Sequence, residues 1–137
     1  MNANNTVYKP AFYIGILLMA IGVVLGALGA HALKPDLMQF NLLDSFETAV
    51  RYQLFHGIAL LIIGILSLHS KHRNIKICTI TFLIGTLFFS GSIYFLIFNK
   101  IAGGAGIGKL GLITPIGGIL LITSWMLLIP IIRNLIK

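Results

Sequence analysis

The run Phe46-Glu47-Thr48-Ala49-Val50-Arg51-Tyr52-Gln53-Leu54-Phe55-His56 places an acid, a base, an amide and an imidazole immediately before the apolar segment Gly57–Leu68. Wound as a helix, it makes Glu47 and Arg51 i,i+4 partners, as are Tyr52 and His56, while Gln53 and His56 are i,i+3. On that pairing these side chains are expected to line one broad face. Imidazole and carboxylate groups can relay protons, a guanidinium fork can hold a phosphate, and imidazole is the commonest metal ligand. Carrying such groups toward hydrocarbon costs kilocalories unless they are paired, so at a membrane boundary they face protein, water or a ligand.

The elements that must position them follow from composition. Of 137 residues, 58% are hydrophobic and only 9% charged, and the mean hydropathy is +1.00. That balance falls outside the range of soluble domains and inside that of membrane proteins, in one domain covering residues 1–137. The net charge of +7 is spread over the ends of four apolar stretches rather than gathered on one face. This excludes nucleic-acid binding and fits anchoring to anionic lipid. Cys78 is the only cysteine, so no intramolecular disulfide or multi-cysteine metal site can form, and packing is its expected role.

Met1–Lys9 reads as a polar tail. Ala11–Leu33 carries no charge and, at about 23 residues, spans ~34 Å as a helix, enough to cross a hydrocarbon core of ~30 Å. Ala30-His31-Ala32 fits a small-x-small cleavage pattern, but the apolar run exceeds the ~7–15 residues of a secretory h-region, so a membrane span is expected. Its Gly22 and Gly26, with Gly29, form a small-residue face suited to close helix approach, within the chain or across a homodimer. Lys34-Pro35 ends this helix and a loop follows. Asp44 and Glu47 have the spacing of a capping box, which predicts a second helix from near Ser45 to about Leu68, with residues 50–68 in the membrane. A basic loop leads to Asn74 as a predicted cap of a third span, Ile75–Phe98. Beyond a glycine-rich connection, Thr114-Pro115 predicts cap and first position of a fourth span, which runs to about Arg133 and contains Pro130. Trp125 lies too deep in it for an interfacial belt.

Four antiparallel spans bring certain motifs to one end. His31, the segment Glu47 to His56, Ser90-Gly91-Ser92 with Tyr94, and Thr114 all fall in the same half, so a polar cluster of His31, Glu47, Arg51, Tyr52, Gln53, His56, Ser90, Ser92, Tyr94 and Thr114 is expected there. Gly91, Gly117 and Gly118 join the glycines of the first span as packing positions. Basic residues number six on the side of the termini (Lys9, Lys71, Arg73, Lys76, Arg133, Lys137) against four on the other (Lys34, Arg51, Lys100, Lys109). Both termini are therefore expected in the cytoplasm.

Gly26-Ala27-Leu28-Gly29-Ala30-His31-Ala32-Leu33, the segment Phe46–His56, Phe89-Ser90-Gly91-Ser92-Ile93-Tyr94 and Ile113-Thr114-Pro115-Ile116-Gly117-Gly118 resemble the four signature stretches of the YgdD/YwdK-like family of small membrane proteins (family 423), in order and over nearly the whole chain. Leu112 departs from the proline that usually precedes Ile-Thr-Pro. The resemblance implies a four-helix inner-membrane protein. It implies no catalytic residues, because the family is one of unknown function, some of whose members are associated with membrane integrity.

Two histidines near one level could ligate haem or a metal, but a histidine at a helix end more often bonds a neighbouring carbonyl or carboxylate, and no further cysteine–histidine cluster accompanies them. No cofactor and no metal are expected. Gly103 to Gly108-Lys109 imitates part of a phosphate loop, and Gly106-x-Gly108-x-x-Gly111 a dinucleotide fingerprint. Neither fits, since Leu110 replaces the magnesium-binding hydroxyl and no strand precedes the loop. Ser90 and Ser92 lack a nucleophile-elbow context. The expectation is an all-α, four-span transmembrane bundle of the bacterial plasma membrane with no enzymatic activity. It meets the lipid bilayer and either partner subunits or further copies of itself, in an accessory or membrane-organising role. The alternative is a small oligomeric transporter, channel or proton-coupled unit built around the polar cluster.

Overall fold

A computed structural model describes residues 7–70, 73–104 and 111–136. The tail Met1–Thr6, Lys71 and His72 of the basic loop, residues 105–110 of the glycine-rich connection, and Lys137 lie outside them. The described residues form α1 (Lys9–Ala30), α2 (Lys34–Gln39), α3 (Leu43–His69), α4 (Asn74–Thr86), a π-helical turn (Leu87–Gly91), α5 (Ser92–Ile101) and α6 (Ile113–Leu135), with no strand among them. Among the described residues, four continuous helical segments are long and apolar enough to cross a membrane: α1, α3, the run Asn74–Ile101, and α6.

The first two spans are joined differently from the expected loop. Helix α1 stops at Ala30, three residues early, where the His31 amide bonds Ala27 O and Leu28 O. Pro35 then sits in the first turn of α2. A proline that cannot continue one helix is well suited to begin another, because its missing amide would be unbonded there in any case. Helix α2 ends in a Schellman motif: the Leu42 amide bonds Leu37 O and the Asn41 amide bonds Met38 O, with Asn41 in the left-handed region at φ 54°. That closure delivers the chain directly into α3 at Leu43. Asp44 therefore lies inside the first turn rather than at its cap, which is held by Leu42 without a side-chain bond. The predicted capping box is not formed.

Two further starts move, the first by one residue and the second by two. Asn74 is the first residue of α4, with Arg73 in the cap position. Ile113 opens α6, so Thr114 is already helical and its hydroxyl is directed elsewhere, as described below. Helix α6 passes through Pro130 without ending.

Close packing runs along two antiparallel pairs, α1 on α3 and α4 on α6, with α3 also touching α4 and α5. The α1–α3 seam uses glycine. A Cβ at Gly15 would lie 2.9 Å from Gly57 O, one at Gly22 2.7 Å from Leu54 Cδ2, and one at Gly29 2.5 Å from Phe46 Cε1. Gly26 is looser, at 3.5 Å from Val50. The glycine face of α1 is thus consumed within the chain. One buried cluster, including Leu60, Ile63, Phe82 and Ile131, fills the half of the bundle near the termini. A second, of Leu37, Phe46, Val50 and Ile97, fills the other half. Large apolar side chains such as Leu17, Val23, Ile62, Ile119 and Ile129 point outward, as a lipid-facing surface requires.

Candidate functional site

The polar residues of α3 divide by helical face. Glu47 and Arg51 are exposed. They rim a recess of about 330 Å³ shared with Lys34 and with Gly26 and Gly29 of α1. Arg51 Nη2 reaches Thr48 Oγ1 at 3.4 Å along its own helix. Since both charges keep their solvation, Glu47→Ala and Arg51→Ala should each cost only a few tenths of a kcal/mol, and the double variant should equal their sum. Titration with a denaturing detergent measures this; coupling beyond about 1 kcal/mol would place the pair in a dehydrated network.

Gln53 and His56 turn inward. Gln53 Nε2 donates to Leu18 O of α1 at 2.8 Å in a buried contact, just below Gly22, whose missing side chain makes room for it. His56 is buried among Tyr52, Phe82 and Trp125. An indole N–H can only donate, so the 3.3 Å contact from Trp125 Nε1 makes His56 Nε2 the acceptor. The proton then resides on Nδ1, which donates to Tyr52 O at 2.6 Å. Both ring nitrogens are engaged, which leaves His56 no free lone pair for a metal or haem iron. His31, exposed at the end of α1, is not among its contacts.

The third span contributes through its π-helical turn. One extra residue in the turn rotates everything after it relative to everything before it. Ser92 consequently faces α6, where its hydroxyl and that of Thr114 lie 2.7 Å apart. Tyr94 faces α3, its ring centroid 5.4 Å from that of Phe46. Phe89, within the turn, stacks on Tyr52 at 4.3 Å and 21°. Ser90 Oγ and Tyr94 OH are buried without a hydrogen-bond partner among the described residues. The backbone at Phe88 and Phe89 lies against Gly117 of α6, while a Cβ added at Gly118 would only graze the Phe89 ring and one added at Gly91 would meet nothing within 4 Å.

The ten polar residues singled out from sequence therefore do not share one nest. They separate into an exposed group (His31, Glu47, Arg51), three interhelical ties (Gln53 to α1, His56 to α6, Ser92 to Thr114) and two unpaired hydroxyls, with Tyr52 serving as a stacking surface. Sequence reasoning passed over Trp125 as the partner of His56, although its depth in an apolar helix signalled that the indole N–H needed an acceptor. It also passed over the α4–α6 seam. There Cys78 Sγ lies 3.2 Å from Ser124 O, Ser124 Oγ bonds Thr81 Oγ1 at 2.7 Å, and Gly85 admits Leu121. A larger groove, about 690 Å³, opens between the first turns of α3 and the end of α5.

Residues 25–118 match the sequence profile of a family described as protein of unknown function (DUF423). The chain is 41% identical to a UPF0382 membrane protein of Staphylococcus aureus over 82% of its own length and 84% of the relative's. It is 39% identical to one of Staphylococcus haemolyticus, covering 88% and 93% of the two chains, and 39% identical to one of Staphylococcus saprophyticus, covering 88% and 94%. No solved structure matches. The chain belongs to the DUF423 family and is a multi-pass membrane protein.

Proposed function

We propose that this member of the DUF423 family is a non-enzymatic accessory protein of the bacterial plasma membrane, one that organises its surroundings through its outer surfaces rather than carrying a substrate through its interior. The observation that carries this reading is how the interior polar groups are used. Gln53, His56 and Ser92 each tie one helix to another, and on the side of the termini the bundle is filled by Leu60, Ile63, Phe82 and Ile131, all fully buried. A proton or solute path needs polar groups in sequence from one face to the other. Here the ties are followed by packed hydrocarbon in which the buried polar groups Ser67, Cys78, Thr79 and Ser124 donate to main-chain carbonyls. The basic residues Lys9, Arg73, Lys76 and Arg133 at the ends of the spans on one side support cytoplasmic termini, with the α2 face outside.

The test is reconstitution in vesicles. Proton and monovalent-ion flux should stay at the level of protein-free vesicles, and a flux above it that is abolished by His56→Ala would support the transporter reading instead. Sidedness is read in cells with Cys78→Ser as background. Ala102→Cys should label with an impermeant maleimide and Arg73→Cys should not; the reverse pattern would invert the orientation.

A further inference from the structure

The groove between α3 and α5 has a layered chemistry. The run Asn74–Ile101 is 28 residues long, or ~42 Å as a helix, which matches a bilayer measured across both headgroup layers. Lys100, in its last turn, therefore lies at headgroup depth, and Asp44, in the first turn of α3, stands on the opposite wall of the same groove. Both are exposed. One to two turns deeper, Ile93, Leu96 and Ile97 line the groove at i, i+3 and i+4, while Thr48 adds a hydroxyl between the two depths. The volume of about 690 Å³ is within the range of ligand sites, roughly 300–1,000 Å³.

A cation and an anion held apart across an apolar trough are complementary to a molecule that carries both charges on one end and hydrocarbon on the other. We propose that this groove binds a single zwitterionic aminophospholipid, with its phosphate at Lys100, its primary ammonium at Asp44 and an acyl chain along Ile93, Leu96 and Ile97. Phosphatidylglycerol satisfies Lys100 but brings no cation to Asp44. A quaternary choline brings charge without an N–H donor. The proposal deepens the reading of the protein as a lipid-facing accessory and rests on it for the groove's access to the bilayer.

Delipidated full-length protein in mild detergent, titrated with equimolar phosphatidylethanolamine and phosphatidylglycerol and examined by native mass spectrometry, tests it. The expected result is one retained phosphatidylethanolamine with about tenfold preference, the weight of one charge-assisted contact. Asp44→Asn should abolish the preference, Lys100→Gln should weaken retention of both lipids, and Leu96→Trp should block the site. Arg133→Gln, at the other end of the bundle, should change nothing. Equal retention of the two lipids by the wild type, or a preference that survives Asp44→Asn, would overturn the proposal. Because the two rim variants alter exposed side chains, they decide the matter even if Leu96→Trp does not fold. Vesicle flux, by contrast, bears on the accessory reading and leaves the lipid count unaffected.

Discussion

Gly117→Ala should destabilise the bundle by about 1–3 kcal/mol, the cost of forcing an extra carbon into a packed interior, while Gly118→Ala, one residue along, should be neutral or slightly stabilising. The added Cβ at position 117 would run into the main-chain atoms of Phe88 and Phe89. Backbone cannot swing aside as a side chain can, so the third and fourth spans must move apart. The same methyl at position 118 would sit at ordinary contact distance, 3.9 Å, from the Phe89 ring, and it gains the intrinsic helix preference of alanine over glycine. Gly91→Ala, with nothing within 4 Å, should behave like Gly118→Ala. Unfolding midpoints of the three variants in a denaturing-detergent titration give the comparison. Equal losses at 117 and 118 would show that the π-helical turn and α6 are not in backbone contact.

The second large effect is expected at His56. His56→Ala removes a buried ring that touches Tyr52, Phe82 and Trp125 and should cost about 2–4 kcal/mol by cavity formation and lost contacts. Part of that loss is the hydrogen bond from Trp125. Trp125→Phe keeps most of the ring and deletes the donor, so it should cost about 0.5–1.5 kcal/mol. Because the bond can be lost only once, the double variant His56→Ala/Trp125→Phe should be less destabilised than the sum of the singles by about 0.6 kcal/mol or more. Tryptophan fluorescence provides a second readout, since Trp125 is the only tryptophan and its indole N–H loses its acceptor in His56→Ala. Strict additivity with an unchanged emission spectrum would remove the α3–α6 tie.

Class, span number and approximate span position were legible in the sequence because they depend on quantities that a linear chain carries: the length of uncharged apolar runs against bilayer thickness, and the placement of the few charges at their ends. The signature stretches were also readable as motifs, and Gly22 and Gly29 as packing positions, since a helix that must approach another closely needs small residues regardless of its partner. What those glycines packed against was decided only by the fold, which set them on Leu54 and Phe46 of α3. Helix starts were misplaced by one or two residues for a related reason. Side-chain capping signals at Asp44 and Thr114 were outweighed by the backbone closure of α2 at Asn41 and by the Ser92–Thr114 contact.

The polar cluster shows most clearly where one-dimensional reasoning stops. Helical spacing pairs Glu47 with Arg51 and Gln53 with His56, but at about 100° of rotation per residue the two pairs fall on nearly opposite sides of α3, so the single broad face expected from i,i+3 and i,i+4 pairing is not formed. Tertiary packing decided which of the two sides is buried, leaving the charged pair on the surface and giving the amide and the imidazole neutral partners in the carbonyls of Leu18 and Tyr52 and the indole of Trp125. The π-helical turn redirected Ser92 and Tyr94 toward different neighbours, and no residue type announces such a turn. Its one extra residue is accommodated by the contact with Gly117 across the bundle, an interaction between segments far apart in the chain that exists only once both helices are in place.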